Sequence, residues 1–294
     1  LGQGQGIKNK TNRRMMLQLD STQNPKVRQL VRYRDKSAHR RKDGVILIEG
    51  VRELERAVAA GWMLRQTFWE PSTAQLPSWA EGHGQHFRCA SAVYDKLVVR
   101  ENGAGAVGLA ILPAHRLEDL KLPAQPWIVV LDGLEKPGNV GAILRTADAV
   151  GVDAVIFSSL DCDPYSPQAV RNSTGALFNL QLASAPREEV QAWLASRGIP
   201  PYALHLEGAT PHHSVDWTKA SAMVLGPEDR GQRRHAPQQR RRADGLLVLA
   251  RERVGGGGVD HELDLVAADD VHHVRAALAA LGDGAHGQAG LLEQ

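Results

Sequence analysis

Two cysteines in 294 residues, Cys89 and Cys162, cannot build a disulfide scaffold, and so few fit a reducing, cytoplasmic compartment. No apolar run approaches the roughly 20 residues that a membrane-crossing helix needs, which excludes a helical membrane protein. Leu1 to Arg14 lacks the charged-then-apolar order of a secretory signal. That stretch precedes the pair Met15-Met16, so it is expected to lie outside the natural product, and residues 1–23 are expected to be a disordered leader. The glycine-bearing turn at Glu135 to Gly141, which follows an apolar run, lacks the Gly-x-Gly-x-x-Gly spacing of a dinucleotide site, and the chain has no Walker phosphate loop, which argues against a generic nucleotide-binding oxidoreductase.

A further absence is local. Residues 232–294 contain no Ser, Thr, Asn, Ile, Lys, Met, Cys, Phe, Tyr or Trp, although these types supply 65 of the first 231 residues. At that frequency about 18 would be expected in the tail. The ten types that remain are those whose codons can begin with G or C. A GC-rich gene carries G or C at most third codon positions, and reading it out of frame moves that position to the front. The tail is therefore expected to be a frame-shifted translation; the alternative is a natural low-complexity extension. His261, His272 and His273 sit inside it and are not read as a metal site, because chance explains their grouping in so simple a composition.

What is present is unevenly charged. The chain carries 35 Lys+Arg and 33 Asp+Glu, but residues 1–56 hold 14 of the bases and only 6 of the acids. A basic front on a nearly neutral body suggests a polyanionic partner.

Apolar spacing predicts an α/β chain of two domains, residues 24–121 and 126–231. In the first, Asn24-Pro25 opens an amphipathic basic helix running to about His39, Val45 to Ile48 is a buried strand, and Val51 to Ala60 is a helix that Gly61 ends. Strands are expected at Leu64 to Trp69 and Gly105 to Leu112, with a helix near Ala92 to Arg100. Leu122 to Pro126 is the candidate linker. In the second, Trp127 to Asp132 is continuously apolar, which implies burial on both faces, as in a parallel sheet. A helix from about Asn139 to Val150 and a strand at Ala154 to Phe157 complete a βαβ unit. Then come a helix near Gln168 to Leu177, a strand near Asn179 to Ala183, a helix from Arg187 to Ser196, and strands at Tyr202 to Leu206 and Ala222 to Leu225. This alternation predicts an open parallel sheet with helices on both faces.

Three loops could carry chemistry. Glu135 to Gly141 follows a buried strand, where open α/β sheets bind ligands. Gly138 and Gly141 permit close backbone approach, Asn139 suits an N-cap, and Arg145 can face the same cleft. Taken alone, Asn139 would be only a cap and Arg145 only a solvated helix residue. Arg171-Asn172-Ser173-Thr174-Gly175 places small polar residues where a helix would otherwise run. Leu225-Gly226-Pro227-Glu228-Asp229-Arg230-Gly231 again lies just past a buried strand.

Together, Asn139-x-Gly141-x-x-x-Arg145-Thr146-Ala147, Asn172-Ser173-x-Gly175-Ala176 and Leu225-Gly226-Pro227-Glu228-x-x-Gly231 resemble the SpoU branch (TrmH-like) of the SPOUT methyltransferases. Upstream, Asn24-Pro25-Lys26-Val27, Arg40-Arg41-Lys42-Asp43-Gly44 and Ile48-Glu49-Gly50-Val51-Arg52-Glu53 look like the small RNA-binding α/β domain that many members carry first. The resemblance spans about residues 20–231.

It implies an S-adenosylmethionine-dependent RNA ribose 2′-O-methyltransferase, acting on ribosomal RNA or else tRNA, with a C-terminal trefoil knot and a homodimeric assembly. Arg145 would take the role proposed for the family's base; because a guanidinium keeps its proton in proteins, it could instead position a phosphate or the ribose oxygen. Asn139 would orient the same group, and Glu228 would help build the dimeric site. Leu206, Gly208, Leu225, Gly226, Glu228 and Gly231 would surround the cofactor. Lys26, Arg28, Arg32, Arg34, Arg40, Arg41, Arg171 and Ser173 would hold RNA.

The sequence departs from the pattern after Gly231. The third motif, a Ser-Leu-Asn-Val-type turn, is absent, and Gly255 to Gly258 stands about where it belongs. The competing expectation is therefore an RNA-binding paralogue or relic that no longer catalyses.

Overall fold

Val45, Ile46, Leu47 and Ile48 form a strand whose side chains alternate between two separate cores, so the unbroken apolar run is required on both faces. The same holds at Ile128 to Leu131, where odd and even positions feed different clusters. The first strand lies at the edge of one sheet and the second inside another. The computed structural model describes residues 17–72, 75–80, 82–99, 105–204, 210–211, 215–226 and 247–250, with the backbone alone at 204, 210–211 and 247–250.

The first sheet holds β1 (Leu17–Leu19), β2 (Val45–Glu49), β3 (Leu64–Trp69), β4 (Gln85–Cys89) and β5 (Ala106–Ile111), in the order β1-β4-β3-β5-β2. β1, β4 and β3 run parallel, and β5 is antiparallel to both β3 and β2. One face is covered by α1 (Pro25–Asp35) and α4 (Ser91–Leu97), through Val27, Leu30, Tyr33, Val93, Tyr94 and Leu97. α1 is capped as expected: the Asn24 side chain accepts from the Lys26 amide at 2.9 Å, ahead of Pro25 at the first helical position. It ends earlier than its basic periodicity suggests. Lys36 is extended, and a second short helix, α2 (Ser37–Asp43), starts on a new axis. That break sets the fate of Arg40.

The other face meets α3 (Val51–Ala59) and the second sheet. Ile46, Ile48, Leu54, Ala57, Trp62 and Trp69 share one continuous core with Val129, Leu131, Ile143, Leu177 and Phe178. The segment between the sheets is anchored too, with Leu117 and Leu120 buried.

The second sheet contains β6 (Trp127–Asp132), β7 (Ala154–Ser158), β8 (Leu182–Ala185), β9 (Pro201–Leu204), β10 (Thr210–Pro211), β11 (Ser221–Leu225) and β12 (Leu247–Ala250). Its order is β10-β12-β9-β11-β6-β7-β8, and every pairing is parallel. α5 (Pro137–Val150) packs Val140, Ile143, Leu144 and Ala147 on one face; α8 (Arg187–Ser196) packs Val190 and Leu194 on the other.

Four local expectations change. Leu17–Leu19, expected within a disordered leader, forms β1 and pairs with β4, with Leu19 buried. Asn139 is not an N-cap: Pro137 starts α5 two residues earlier and Lys136 occupies the cap position. The helix expected from Gln168 to Leu177 is two, α6 (Pro167–Asn172) and α7 (Ala176–Asn179), separated by Thr174 and Gly175 at φ of 51° and 93°. α7 displaces the strand expected near Asn179 to Leu182–Ala185. β12 lies within the ten-letter tail, between β10 and β9.

Candidate active site

The C-terminal ends of β6, β7 and β11 lie side by side, and α5 starts from the loop after β6. Asp132 closes β6. Its carboxylate accepts the Ser158 hydroxyl at 2.7 Å and the Arg187 Nε at 2.9 Å, so the ends of β6 and β7 and the start of α8 are tied into one polar node. Neither Asp132 nor Arg187 was marked by any sequence pattern, because a carboxylate ending an apolar strand is common.

On α5, residues 138, 141 and 145 fall on one stripe, three and seven apart, and that stripe meets α6. A Cβ at Gly141 would collide with the Ala169 carbonyl oxygen and would sit 2.7 Å from the Asn172 Cβ. A Cβ at Gly138 would meet only the amide ends of Asn172, at 3.1 Å, and Gln168, at 3.3 Å. The Asn172 Nδ2 donates to the Gly138 carbonyl at 3.3 Å. The first two motifs are thus one packed unit, in which Gly141 serves helix contact and Asn172 holds the backbone beside Asn139. Arg145, further along the stripe, is half-buried, and its Nε is sealed from solvent with no hydrogen-bond partner among the described residues. Asn139 is half-exposed in the first turn of α5.

At β11, beside β6 and β9, Leu225 is buried and an added Cβ on Gly226 would meet nothing within 4 Å among the described residues. Leu206, Gly208, Glu228 and Gly231 lie outside the described residues.

The basic residues separate by position. Arg28, Arg32 and Arg41 are exposed. Lys26 is partly covered, with its ammonium 4.8 Å above the Phe87 ring; burial, and then the neighbouring Arg65, lower its pKa. Arg34 is engaged with Asp35 at 2.7 Å and with the Lys96 carbonyl at 2.7 Å. Arg171 is half-buried. Arg40, expected on RNA, is instead 4% exposed; it donates to the Tyr33 carbonyl and pairs with Asp163 of the second sheet's domain. Ser173, also expected on RNA, is fully buried and donates to the Val170 carbonyl at 2.7 Å. Both are taken inward because α2 turns at Lys36 and α6 packs on α5. Exposed Arg65 and Arg88, on β3 and β4, were missed because isolated arginines in strands carry no spacing signal.

Comparison with known proteins adds to this geometry. Residues 126–244 match the model of the SpoU rRNA Methylase family, and residues 24–108 match that of the MRM3-like substrate binding domain. An uncharacterized tRNA/rRNA methyltransferase of Synechocystis sp. is 30% identical over 72% of this chain and 79% of its own length. A 23S rRNA uridine-2′-O-methyltransferase of Streptomyces viridochromogenes is 28% identical over 65% of this chain and 71% of its own. The crystal structure of an AdoMet-bound rRNA methyltransferase from Sinorhizobium meliloti superimposes with a TM-score of 0.75 at 24% identity, covering 92% of this chain and 98% of that one, and shares the fold. From its paired motifs to its two-sheet architecture, the chain belongs to the SpoU rRNA methylase family.

Proposed function

We propose that the protein transfers a methyl group from S-adenosylmethionine to a ribose 2′-hydroxyl of ribosomal RNA, with tRNA the alternative substrate. The observation that carries this is the packing of Gly138 and Gly141 against Asn172, with Arg145 further along the same helix, set at the parallel strand ends beside Gly226. The relatives named for 23S rRNA 2′-O-methylation and the AdoMet-bound neighbour support it. The half-buried guanidinium of Arg145, whose Nε has no partner among the described residues, suits an anionic or oxygen ligand, and the strand end at Gly226 suits a cofactor.

The cofactor supplies a methyl activated on a sulfonium. Asn139 and Arg145 orient the ribose oxygen and the adjoining phosphate, and Glu228 completes the site. Leu206, Gly208, Leu225, Gly226 and Gly231 line the cofactor. The exposed set Arg28, Arg32 and Arg41, with Lys26, Arg34 and Arg171 at its edges, grips the RNA backbone. The assembly is a homodimer working in the cytoplasm.

Incubating the full chain with methyl-labelled S-adenosylmethionine and ribosomal RNA tests the proposal, with 2′-O-methylnucleoside recovered after digestion as the expected product. Arg145→Ala should lower transfer by about 100-fold or more. RNA retained without any transfer by the unaltered chain would instead favour an RNA-binding paralogue.

A further inference from the structure

We propose that Arg56, on the docking helix of the N-terminal domain, is a positioning residue for the second motif and so couples that domain to the chemistry. The inference rests on the methyltransferase reading only for its kinetic consequence.

Thr174 and Gly175, between α6 and α7, both adopt positive φ. A β-branched residue in the left-handed region is costly and persists only where its surroundings over-determine it. Here the over-determining group comes from the other domain. The Arg56 Nη1 donates to the Thr174 carbonyl, and the Arg56 stem lies directly over Gly175, where any added Cβ would strike its Cδ. α3 cannot shift to relieve this, because Leu54 and Ala57 on the same helix are buried in the core shared by both sheets. Trp62, just past α3, donates to the Phe178 carbonyl at 3.3 Å and packs edge-on against the Phe178 ring at 5.1 Å.

The turn held in this way is not peripheral. It follows directly on Asn172, whose amide donates to Gly138 and whose Cβ lies against Gly141. The contacts therefore run unbroken from Arg56 through Thr174 and Asn172 to the first turn of α5, which carries Asn139. An N-terminal domain that served only to grip RNA would need no guanidinium on this carbonyl. One that aligns the two motifs does.

Arg56→Met keeps the stem over Gly175 and removes the donor; Arg56→Lys keeps a charge and one donor; Arg52→Met changes an exposed arginine on the same helix. Two measurements on the full chain decide. Hydrogen exchange of a peptide covering residues 168–180 reads the turn itself, through the amides of Ser173, Thr174, Ala176 and Phe178 that close it. Exchange there should rise by about ten-fold in Arg56→Met, less in Arg56→Lys, and stay unchanged in Arg52→Met. With ribosomal RNA, kcat should fall by about ten-fold in Arg56→Met, with KM for RNA within about two-fold of the unaltered chain. Unchanged exchange in Arg56→Met overturns the inference. So does a raised KM at constant kcat, which would make Arg56 an RNA contact. If the unaltered chain transfers no methyl while exchange responds as stated, the functional reading fails and the positioning role stands. Should Arg56→Met not fold, Arg56→Lys carries both measurements.

Discussion

At Gly141 two helices approach so closely that the backbone of one leaves no room for a side chain on the other. The obstacle is the Ala169 carbonyl, which cannot swing aside as the end of a flexible side chain can. Gly141→Ala should therefore push α6 from α5 and cost about 1–3 kcal/mol, as overpacking does elsewhere. Urea unfolding of the variant beside Gly138→Ala checks this. The second change meets only movable amide groups and should cost less than about 1 kcal/mol. Close backbone approach was legible at both glycines from their place after a buried strand, but what approaches was not: the spacing suggested a ligand, and the structure gives Gly141 a neighbouring helix. Arg40 shows the complementary blindness. In a basic run every arginine reads as solvated, and only the break at Lys36, which no periodicity foretold, turns this one inward to Asp163.

Elements were legible wherever burial imposed a pattern over their whole length. β2 and β6 are buried on both faces and read as unbroken apolar runs, and α8 keeps the bounds its sequence suggested. β4 was missed because only Phe87 and Cys89 of its five residues are buried, a two-residue alternation too short to stand out. The segment joining the sheets, of which only Leu122 to Pro126 read as a linker, carries a half-buried titratable group. His115 lies with Nδ1 2.6 Å from the Tyr165 hydroxyl and its ring between Tyr165 and Trp62, at 5.5 and 5.6 Å. Burial pushes the imidazole down to about 4 from its ordinary 6.5. Between those values the unfolded chain binds the proton and the folded chain does not. The stability this neutral histidine permits is complete above pH 6.5 and is lost on acidification, at up to about 1.4 kcal/mol per pH unit, until about pH 4. Denaturant unfolding across pH 4 to 7 should show that slope, and His115→Gln should flatten it relative to the unaltered protein. Equal slopes in the two proteins would remove the imidazole as its source.

On the scale of the whole molecule, the two domains are fastened rather than tethered: one core runs through both sheets, and Arg40, Arg56 and Trp62 each reach across to the 160–178 region. Sequence reasoning expected two units because each sheet has its own strand pattern. It could not recover their union, since a residue buried between domains looks like any other core residue. The same scale exposes the tail. β12, drawn from it, occupies a place between β10 and β9 in an otherwise apolar parallel sheet, yet its surroundings in the chain are written in ten amino-acid types. The family match extends to residue 244, only a short way past Gly231. An alphabet restricted to codons beginning with G or C is what a GC-rich gene yields when read out of register, and a selected sheet-and-helix segment has no physical reason to exclude Ile, Phe, Ser and Asn together. We propose that the frame changes near codon 232. Resequencing the gene across that codon should reveal a one- or two-nucleotide discrepancy, and translation in the restored frame should give an apolar strand followed by a Ser-Leu-Asn-Val-type turn within a few tens of residues of Gly231. A reproducible, uninterrupted frame through codon 294 would defeat the proposal and make the ten-letter segment a genuine part of the protein.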